Sequence, residues 1–228
     1  MQHLAIIPDG NRRWAKKNKL KSFFGHKKGM ESFRMTVRFC LKKGIKYLSF
    51  YTFSLENFNR PEEEKNYLFK LLMGESIKQL PELKEQGVKI RFIGDKNYFP
   101  KNVLTSIKKL EEETKQNNKL NVNLLFCYGA QREIVHATKK LAEEVKKGAL
   151  KLEEINEQVL ENSLWTAGMP NPDLIIRTSK RARLSNFLLY QAAYSEFMFL
   201  DIFWPEIKEN HLECCLNEFK GIQRNFGR

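Results

Sequence analysis

Ala5-Ile6-Ile7-Pro8-Asp9-Gly10-Asn11-Arg12-Arg13-Trp14 is a short apolar run that breaks at Pro8, turns through Asp-Gly-Asn, and continues into a basic segment tagged by an aromatic. An apolar run bounded by turn residues reads as a buried strand. Glycine lets a backbone approach a ligand closely, and the N–H groups at a helix start point outward, so strand, glycine turn and helix start are the ingredients of an anion pocket. Asp9 is the odd member, because a carboxylate repels phosphate. A divalent cation between the two resolves the conflict, and Mg²⁺ is the usual one on phosphates. The same residues also read as a solvated turn closing an N-terminal strand, since Asp-Gly is a common turn dipeptide.

Working outward, helical and strand periodicities alternate along the chain. A basic loop from Lys16 to Ser22 leads to a helix over about His26–Lys43, with Met30, Phe33, Val37, Cys40 and Leu41 at helical spacing and Gly44 as its stop. Tyr47–Phe53 reads as the second strand. Pro61 followed by Glu62, Glu63 and Glu64 starts a helix running to about Gln86, bent near Gly74 or Pro81. Its apolar residues, Leu68 to Leu83, cover more than one stripe, as in a helix that is deeply buried or lines an apolar cavity. Val88–Ile93, Leu120–Tyr128, Asp173–Arg177 and Phe197–Leu200 read as the remaining strands. Helices are predicted over about Lys101–Lys115, Arg132–Lys147, Lys151–Leu160, Ser185–Gln191 and Glu209–Gln223. Strands alternating with helices predict an α/β fold: a mostly parallel six-stranded central sheet flanked by helices. No repeat or linker divides it, so residues 1–228 are expected to form a single domain.

Composition narrows the function classes. The chain has 228 residues, 42% hydrophobic, enough for a real core, and a formal net charge of +13. Nucleic acid, an anionic membrane surface and polyanionic small molecules all suit such a charge, although many lysines lie in scattered pairs on helices, as on an ordinary soluble surface. The four cysteines show no C-x-x-C spacing and the four histidines are isolated, which predicts free thiols and no histidine-based metal site. No signal peptide and no membrane-length apolar run is seen, so a cytoplasmic protein is expected, with the inner membrane face within reach.

In parallel sheets the ligand lies beyond the carboxyl ends of the strands. Asp9–Asn11, Ser54–Arg60, Tyr128–Arg132 and Arg177–Ser185 all follow strands and hold the most polar stretches of the chain. Arg177 to Asn186 carries three arginines, a lysine and several hydroxyls. The arginine fork suits bidentate phosphate binding, and Ser185 at a helix start adds a hydroxyl and free amides. A solvated basic loop is the bland alternative. RNA binding is disfavoured, because no aromatic is interleaved for base stacking. Asn57 and Arg60 read equally as a turn capping a helix, and His26 as a satisfied helix-start histidine or a phosphate donor. Glu196, between apolar segments, is expected to meet a cation, either an arginine or Mg²⁺. There is no P-loop, G-x-G-x-x-G or G-x-S-x-G. Two anion sites, one lone aspartate and much apolar lining suggest two diphosphate substrates with apolar tails.

These stretches resemble the cis-prenyltransferases of the undecaprenyl diphosphate synthase family. The similar segments are His3–Ala15, Phe24–Gly29, Tyr51–Pro61, Ile93–Asp95, Asp173–Thr178, Arg183–Leu189 and Trp204–Pro205, spanning nearly the whole chain in order. The Asp-Asp-x-x-Asp of trans-type prenyl synthases is absent. The resemblance implies an apolar tunnel through the fold and an Mg²⁺-dependent homodimer. It implies repeated cis-condensation of isopentenyl diphosphate onto an allylic diphosphate, typically farnesyl diphosphate, toward a long product such as undecaprenyl diphosphate, the lipid-carrier precursor for cell-wall synthesis. By the same resemblance Asp9 and Glu196 hold Mg²⁺. Gly10, Asn11, Arg12, Arg13 and His26 cradle the allylic diphosphate, and Trp14 lines the start of its tail. Arg177, Arg183, Leu184 and Ser185 hold isopentenyl diphosphate, while Ser54, Leu55, Glu56, Asn57, Phe58 and Arg60 lie between the substrates. The family's proposed proton acceptor falls on Asn57. A neutral amide is a poor base, so orientation of the substrate by Asn57, with the proton going to a diphosphate oxygen or Asp9, is the competing expectation. Transient membrane contact for product release, and no nucleic-acid partner, complete the picture.

The chain departs from the family pattern at several places. Ser22 stands where an arginine is usual, with Lys21 as a candidate substitute. Gly129-Ala130-Gln131 and Ser179-Lys180-Arg181-Ala182 replace glycine-rich segments of three and four residues, Arg224-Asn225-Phe226-Gly227 has one spacer too many, and Leu124–Cys127 is bulky for a tunnel wall. Two rival readings remain: a non-catalytic subunit of the same family, against which the retained Asp9, His26, Asn57, Arg177, Arg183 and Ser185 argue, and a basic RNA-binding domain.

Overall fold

The computed structural model describes residues 1–223. Six strands form one sheet in the order β3-β4-β2-β1-β5-β6, every neighbouring pair parallel. They are β1 (His3–Ile7), β2 (Tyr47–Ser54), β3 (Val88–Ile93), β4 (Leu120–Tyr128), β5 (Leu174–Thr178) and β6 (Glu196–Leu200). The opening apolar run is therefore a central strand, flanked by β2 and β5 and buried along its length.

Side-chain alternation along β1 divides the core in two. Leu4 and Ile6 face the larger cluster with α2 (Ser22–Lys43), α3 (Glu62–Glu85), α4 (Lys101–Thr114) and α7 (Glu209–Gly221), whereas Ala5 and Ile7 face a smaller one with Ala130, Met169, Phe187 and Leu188. Helices thus cover both faces, as buried parallel strands require. α1 (Asn11–Lys17), α5 (Ala130–Lys146) and α6 (Glu157–Ser163) complete the seven α-helices of the described residues. A node of rings fills the larger cluster: Phe126 of β4 meets Phe53, Phe69, Phe92 and Phe99 at centroid separations of 6.0, 5.5, 6.2 and 5.1 Å. Burying one such ring contributes about 1.5–3 kcal/mol. On the opposite end of β1, buried His3 is held between the Pro170 carbonyl (2.7 Å) and Ser49 Oγ (2.8 Å), and burial pushes its pKa down to about 4.

Several expected boundaries shift. Helix α1 takes only Lys16 and Lys17 of the expected basic loop, the turn between helices is shorter, and α2 begins at Ser22 rather than His26. α3 runs through Gly74 and Pro81 as one element. The predicted helix over Lys151–Leu160 is a 3₁₀ turn, Leu152–Glu154, followed by α6. The larger correction is Ser185–Gln191, which is a series of turns. Ser185, Asn186 and Leu188 have φ of 51, 64 and 43°, so an α-helix is excluded there. The arm at Arg224–Gly227 lies outside the described residues.

Candidate active site

The break after β1 is fixed from two sides. The Asp9 carbonyl accepts from Thr178 Oγ1 (2.6 Å) and from the Trp204 amide (3.0 Å), which ties the turn to the end of β5 and to the segment after β6. Gly10 follows with φ +107°, and a Cβ there would lie 2.7 Å from Phe203 Cδ1, so the turn needs glycine twice over. This locks the Asp9 side chain beside two guanidiniums: Arg13 Nη2 donates to Oδ1 and Arg177 Nη2 to Oδ2, each at 2.9 Å. Burial pushes the Asp9 pKa up, but the hydrogen bonds and charges of Arg177 and Arg13 outweigh it and hold the carboxyl below its ordinary value.

Helix α2 delivers His26 to the same place through a close approach. A Cβ on Gly25 would sit 2.0 Å from the Asn11 carbonyl, so only glycine allows α2 to lie on the start of α1. His26 is half-buried, its buried Nε2 has no hydrogen-bond partner within the protein, and its pKa falls to about 4 because of desolvation and the nearby Arg60 and Arg12. It is a neutral imidazole at neutral pH. Glu64, which the sequence suggested only as part of a helix start, places Oε1 3.1 Å from Arg60 Nη1, 3.8 Å from Arg12 Nε and 3.9 Å from His26 Nε2.

Arg177 links the two anion sites expected from the sequence. Its buried guanidinium spans from Asp9 to the next loop, where Nη1 donates to Ser185 Oγ (2.8 Å) and to the Arg183 carbonyl. Ser185 therefore takes part through its hydroxyl and a left-handed backbone, not through a helix start. Asn186 joins the loops further. Its Nδ2 donates to Glu56 Oε1 (2.8 Å) and its Oδ1 accepts from the Gln131 amide (2.9 Å). Asn57 Oδ1 accepts from the Ser54 amide at 3.2 Å, closing a reciprocal cap on the 3₁₀ turn Leu55–Asn59. Phe58 packs edge-on to Phe53 (5.2 Å), turning its ring into the core.

Two hollows result, sharing one wall. The first, about 690 Å³, is lined by Asp9–Arg13, Lys16, Lys19, Leu20, Ser22, His26 and Arg60. The second, about 580 Å³, is lined by Asp9, Asn11, His26, Tyr51, Thr52, Ser54, Glu56, Asn57, Arg60, Arg177, Arg183, Ser185 and Asn186. Asp9, Asn11, His26 and Arg60 belong to both. Below them lies an apolar cavity of about 70 Å³ among Met30, Phe53, Leu68, Phe69, Leu72, Phe126 and Trp204, with Asn11 and His26 at its mouth. That is room for roughly two water-sized groups, so the expected apolar lining is present but drawn together. Of Leu124–Cys127, Phe126 reaches this cavity and Leu125 faces the opposite core cluster.

Not every expected residue converges. Glu196 starts β6 in register with Leu174, which pairs with Leu4, so it lies at the opposite end of the sheet, on the order of 15 Å from Asp9. The two carboxylates do not meet within one chain. Trp14 and Leu184 are half-buried and line neither hollow, Leu184 packing on the smaller core cluster. Lys21 lines an adjoining cleft with Phe23 and Tyr67. Sequence reasoning did not single out Glu64, Asn186, Tyr51, Thr52, Lys16 and Lys19 as site residues, although Asn186, Tyr51 and Thr52 lie in strand-end stretches and Lys16 and Lys19 lie just beyond the Asp-Gly turn.

Among the described residues no cluster of three or more His, Cys, Asp or Glu side chains could hold a metal. Asp9 alone nevertheless fits Mg²⁺. It is an ionised hard oxygen donor, and its two arginine bonds leave about two of its four acceptor positions open. Mg²⁺ is commonly held by one carboxylate plus substrate phosphates and water.

Comparison with known proteins adds to this geometry. Residues 7–227 match the family model described as "Putative undecaprenyl diphosphate synthase". The chain is 44% identical over 226 residues to an isoprenyl transferase of Bacillus subtilis (strain 168), covering 99% of this chain and 87% of the relative. It is 42% identical over 227 residues to the ditrans,polycis-undecaprenyl-diphosphate synthase, (2E,6E)-farnesyl-diphosphate specific, of Micrococcus luteus, covering 99% and 91%. Among solved structures it is similar to lavandulyl diphosphate synthase from Lavandula x intermedia in complex with dimethylallyl diphosphate, with a TM-score of 0.96, 32% identity, and coverage of 100% and 98%.

Proposed function

The chain belongs to the undecaprenyl diphosphate synthase family of prenyltransferases, and from that premise we propose that it extends an allylic diphosphate, farnesyl diphosphate above all, by cis-addition of isopentenyl diphosphate to give a long polyprenyl diphosphate such as undecaprenyl diphosphate. The observation that carries this reading is the pair of cationic hollows sharing Asp9, with an apolar cavity opening beneath Asn11 and His26. A diphosphate head with an apolar tail matches that arrangement; a nucleic acid does not.

In this reading Arg12, Arg13, His26 and Arg60 bind the allylic diphosphate in the first hollow. Arg183 and the Ser185 hydroxyl bind the homoallylic diphosphate in the second. Arg177 holds Asp9 between them, so the two heads are oriented from one rigid turn. Asp9 would hold Mg²⁺, which when bound offsets the charge of the departing diphosphate. Neutral His26 offers a single N–H donor to a diphosphate oxygen. Asn57 shapes the turn between the substrates, and its acceptor oxygen is spent on Ser54, which favours a positioning role over proton removal. A long tail needs the rings of α3, β2 and β4 to part, because each isoprene unit adds about five methylene-sized groups, worth roughly 3–4 kcal/mol when buried. Product release is then slow, and detergent or lipid should speed steady-state turnover.

Two further parts of the proposal concern assembly and place. β6 is an edge strand that leaves Phe197 and Phe199 about two-fifths exposed, stacked at 6.3 Å, with Tyr194 65% exposed nearby. Such an edge supports a homodimer. A role for Glu196 on the metal would then require a second copy. Among the described residues no helix is long and apolar enough to cross a membrane. We place the protein in the cytoplasm, touching the membrane surface to release product and making lipid-carrier precursor for the cell wall. The test is the initial rate with isopentenyl diphosphate and Mg²⁺ on dimethylallyl, geranyl and farnesyl diphosphate, with products sized by chromatography. Fastest growth on farnesyl diphosphate to long products, abolished by chelation, is expected. Condensation that stops after one addition would overturn the long-chain assignment.

A further inference from the structure

Helix α1 ends in an unusual way for its sequence. The Lys19 amide bonds to the Lys16 carbonyl (3.1 Å) and the Leu20 amide reaches back to the Ala15 carbonyl (2.8 Å), with Lys19 itself at φ +57°. This is the reverse turn that closes many helices, and its left-handed position is ordinarily glycine or asparagine, because a Cβ is disfavoured there. Asn18 is adjacent, one residue too early to serve. A lysine is thus held in a conformation that glycine would adopt more readily, and a strained residue at a site invites a functional explanation.

The surroundings supply one. Lys19 and Lys16 line the first hollow together with Asp9–Arg13, Ser22, His26 and Arg60. Among the described residues neither has an ion-pair partner, whereas Lys17 turns to Glu206 at 3.6 Å and Lys28 pairs with Glu31. Ser22 brings only a neutral hydroxyl to this wall. Its neighbour Lys21 does not line this hollow but the adjoining cleft with Tyr67. Lys19 thus lines the pocket from the left-handed position of the turn.

We infer that Lys19 is a substrate-contacting residue of this chain: its ammonium meets the diphosphate of the allylic substrate where Ser22 offers no charge. This rests on the reading of the first hollow as the allylic diphosphate site. Lys16 lies one helical turn away and shares the field. The second hollow lacks Lys19, so its effect falls on the allylic and not the homoallylic substrate.

The test compares native protein with Lys19→Gly, Lys19→Arg and the double variant Lys19→Gly/Ser22→Arg. Inorganic pyrophosphate affinity is measured by calorimetry, KM for each substrate by steady-state kinetics, and Tm by scanning calorimetry. Lys19→Gly is expected to keep or raise Tm, since glycine suits the turn. It should weaken pyrophosphate binding and raise KM for farnesyl diphosphate about tenfold, roughly 1.4 kcal/mol, leaving KM for isopentenyl diphosphate within about twofold. Lys19→Arg should stay near native. Ser22→Arg should restore affinity in the glycine background, because it returns a cation to the same wall. Native pyrophosphate affinity and native KM in a folded Lys19→Gly protein would overturn the inference alone. A lowered Tm with both KM values raised together would also overturn it, marking Lys19 as structural. Failure of the native protein to bind pyrophosphate or farnesyl diphosphate would overturn the inference together with the reading it rests on.

Discussion

Replacing Arg177 with methionine removes one of the two guanidiniums on Asp9 and leaves two further acceptors without their donor. Arg177 is 4% exposed, and its Nη2 lies 2.9 Å from Asp9 Oδ2 while Nη1 serves Ser185 Oγ at 2.8 Å and the Arg183 carbonyl. Hydrogen bonds to charged groups contribute about 1.5–3 kcal/mol each, and breaking a buried pair from one side costs about 3–5 kcal/mol. Asp9 keeps Arg13 and its side chain is 27% exposed, so the loss belongs at the low end, about 3 kcal/mol. In a cycle with Asp9→Asn, the coupling between the two positions should be about 2 kcal/mol near neutral pH. Its pH dependence has a definite sign. Burial raises the Asp9 pKa, but Arg177 and Arg13 bring it below the ordinary value, so the unfolded chain takes up the proton first as pH falls. The coupling is complete above about pH 4 and disappears as pH drops through the lower folded-state pKa. Urea unfolding of the four proteins measures this without the screening that guanidinium would add. A coupling under about 0.5 kcal/mol near neutral pH, or one unchanged in strong acid, would refute the assignment of Arg177 as the clamp on Asp9.

Four other outcomes follow from the geometry. Gly10→Ala puts a methyl 2.7 Å from Phe203 Cδ1 at φ +107°, and should cost about 2 kcal/mol or more in urea unfolding and weaken pyrophosphate binding. Asn57→Asp keeps the acceptor for the Ser54 amide and should retain most turnover, while Asn57→Ala should lose most of it; near-full turnover in the alanine variant would exclude a positioning or proton-accepting role. His3 stays neutral in the fold down to about pH 4, whereas the unfolded chain takes up its proton near pH 6.5. Stability should therefore fall by up to roughly 3 kcal/mol across that interval, with a shallower slope in His3→Asn. Phe126→Leu opens the ring node beside the 70 Å³ cavity, and should lengthen the mean product at a stability cost of about 1–2 kcal/mol.

The alternation of Leu4 and Ile6 with Ala5 and Ile7, the glycine stops and the helix starts are local signals, and they placed the strands and most helices. The convergence of Asp9, Arg177, Ser185 and Asn57 was equally legible, because parallel strands deliver their following loops to one edge. What escaped depended on distant partners. Ser185–Gln191 has helical composition, but Arg177 and the Asn186 bridge to Glu56 hold left-handed turns there. Glu64 resembles any acidic helix start until folding brings Arg12 and His26 to it. Lys19 looked like a loop lysine, since its role depends on how α1 ends. Glu196 lies at the wrong end of its strand for Asp9, because the chain enters β6 from the far edge of the sheet.

Growth of an allylic diphosphate at the expense of labelled isopentenyl diphosphate, compared between native protein and Asp9→Ala with unchanged circular dichroism, is the most direct test of the central claim. Native protein should build a ladder of longer diphosphates with cis double bonds, and Asp9→Ala should leave the primer unextended. Extension by the variant at the native rate, or no label incorporated by native protein on any allylic primer with Mg²⁺ present, would contradict it.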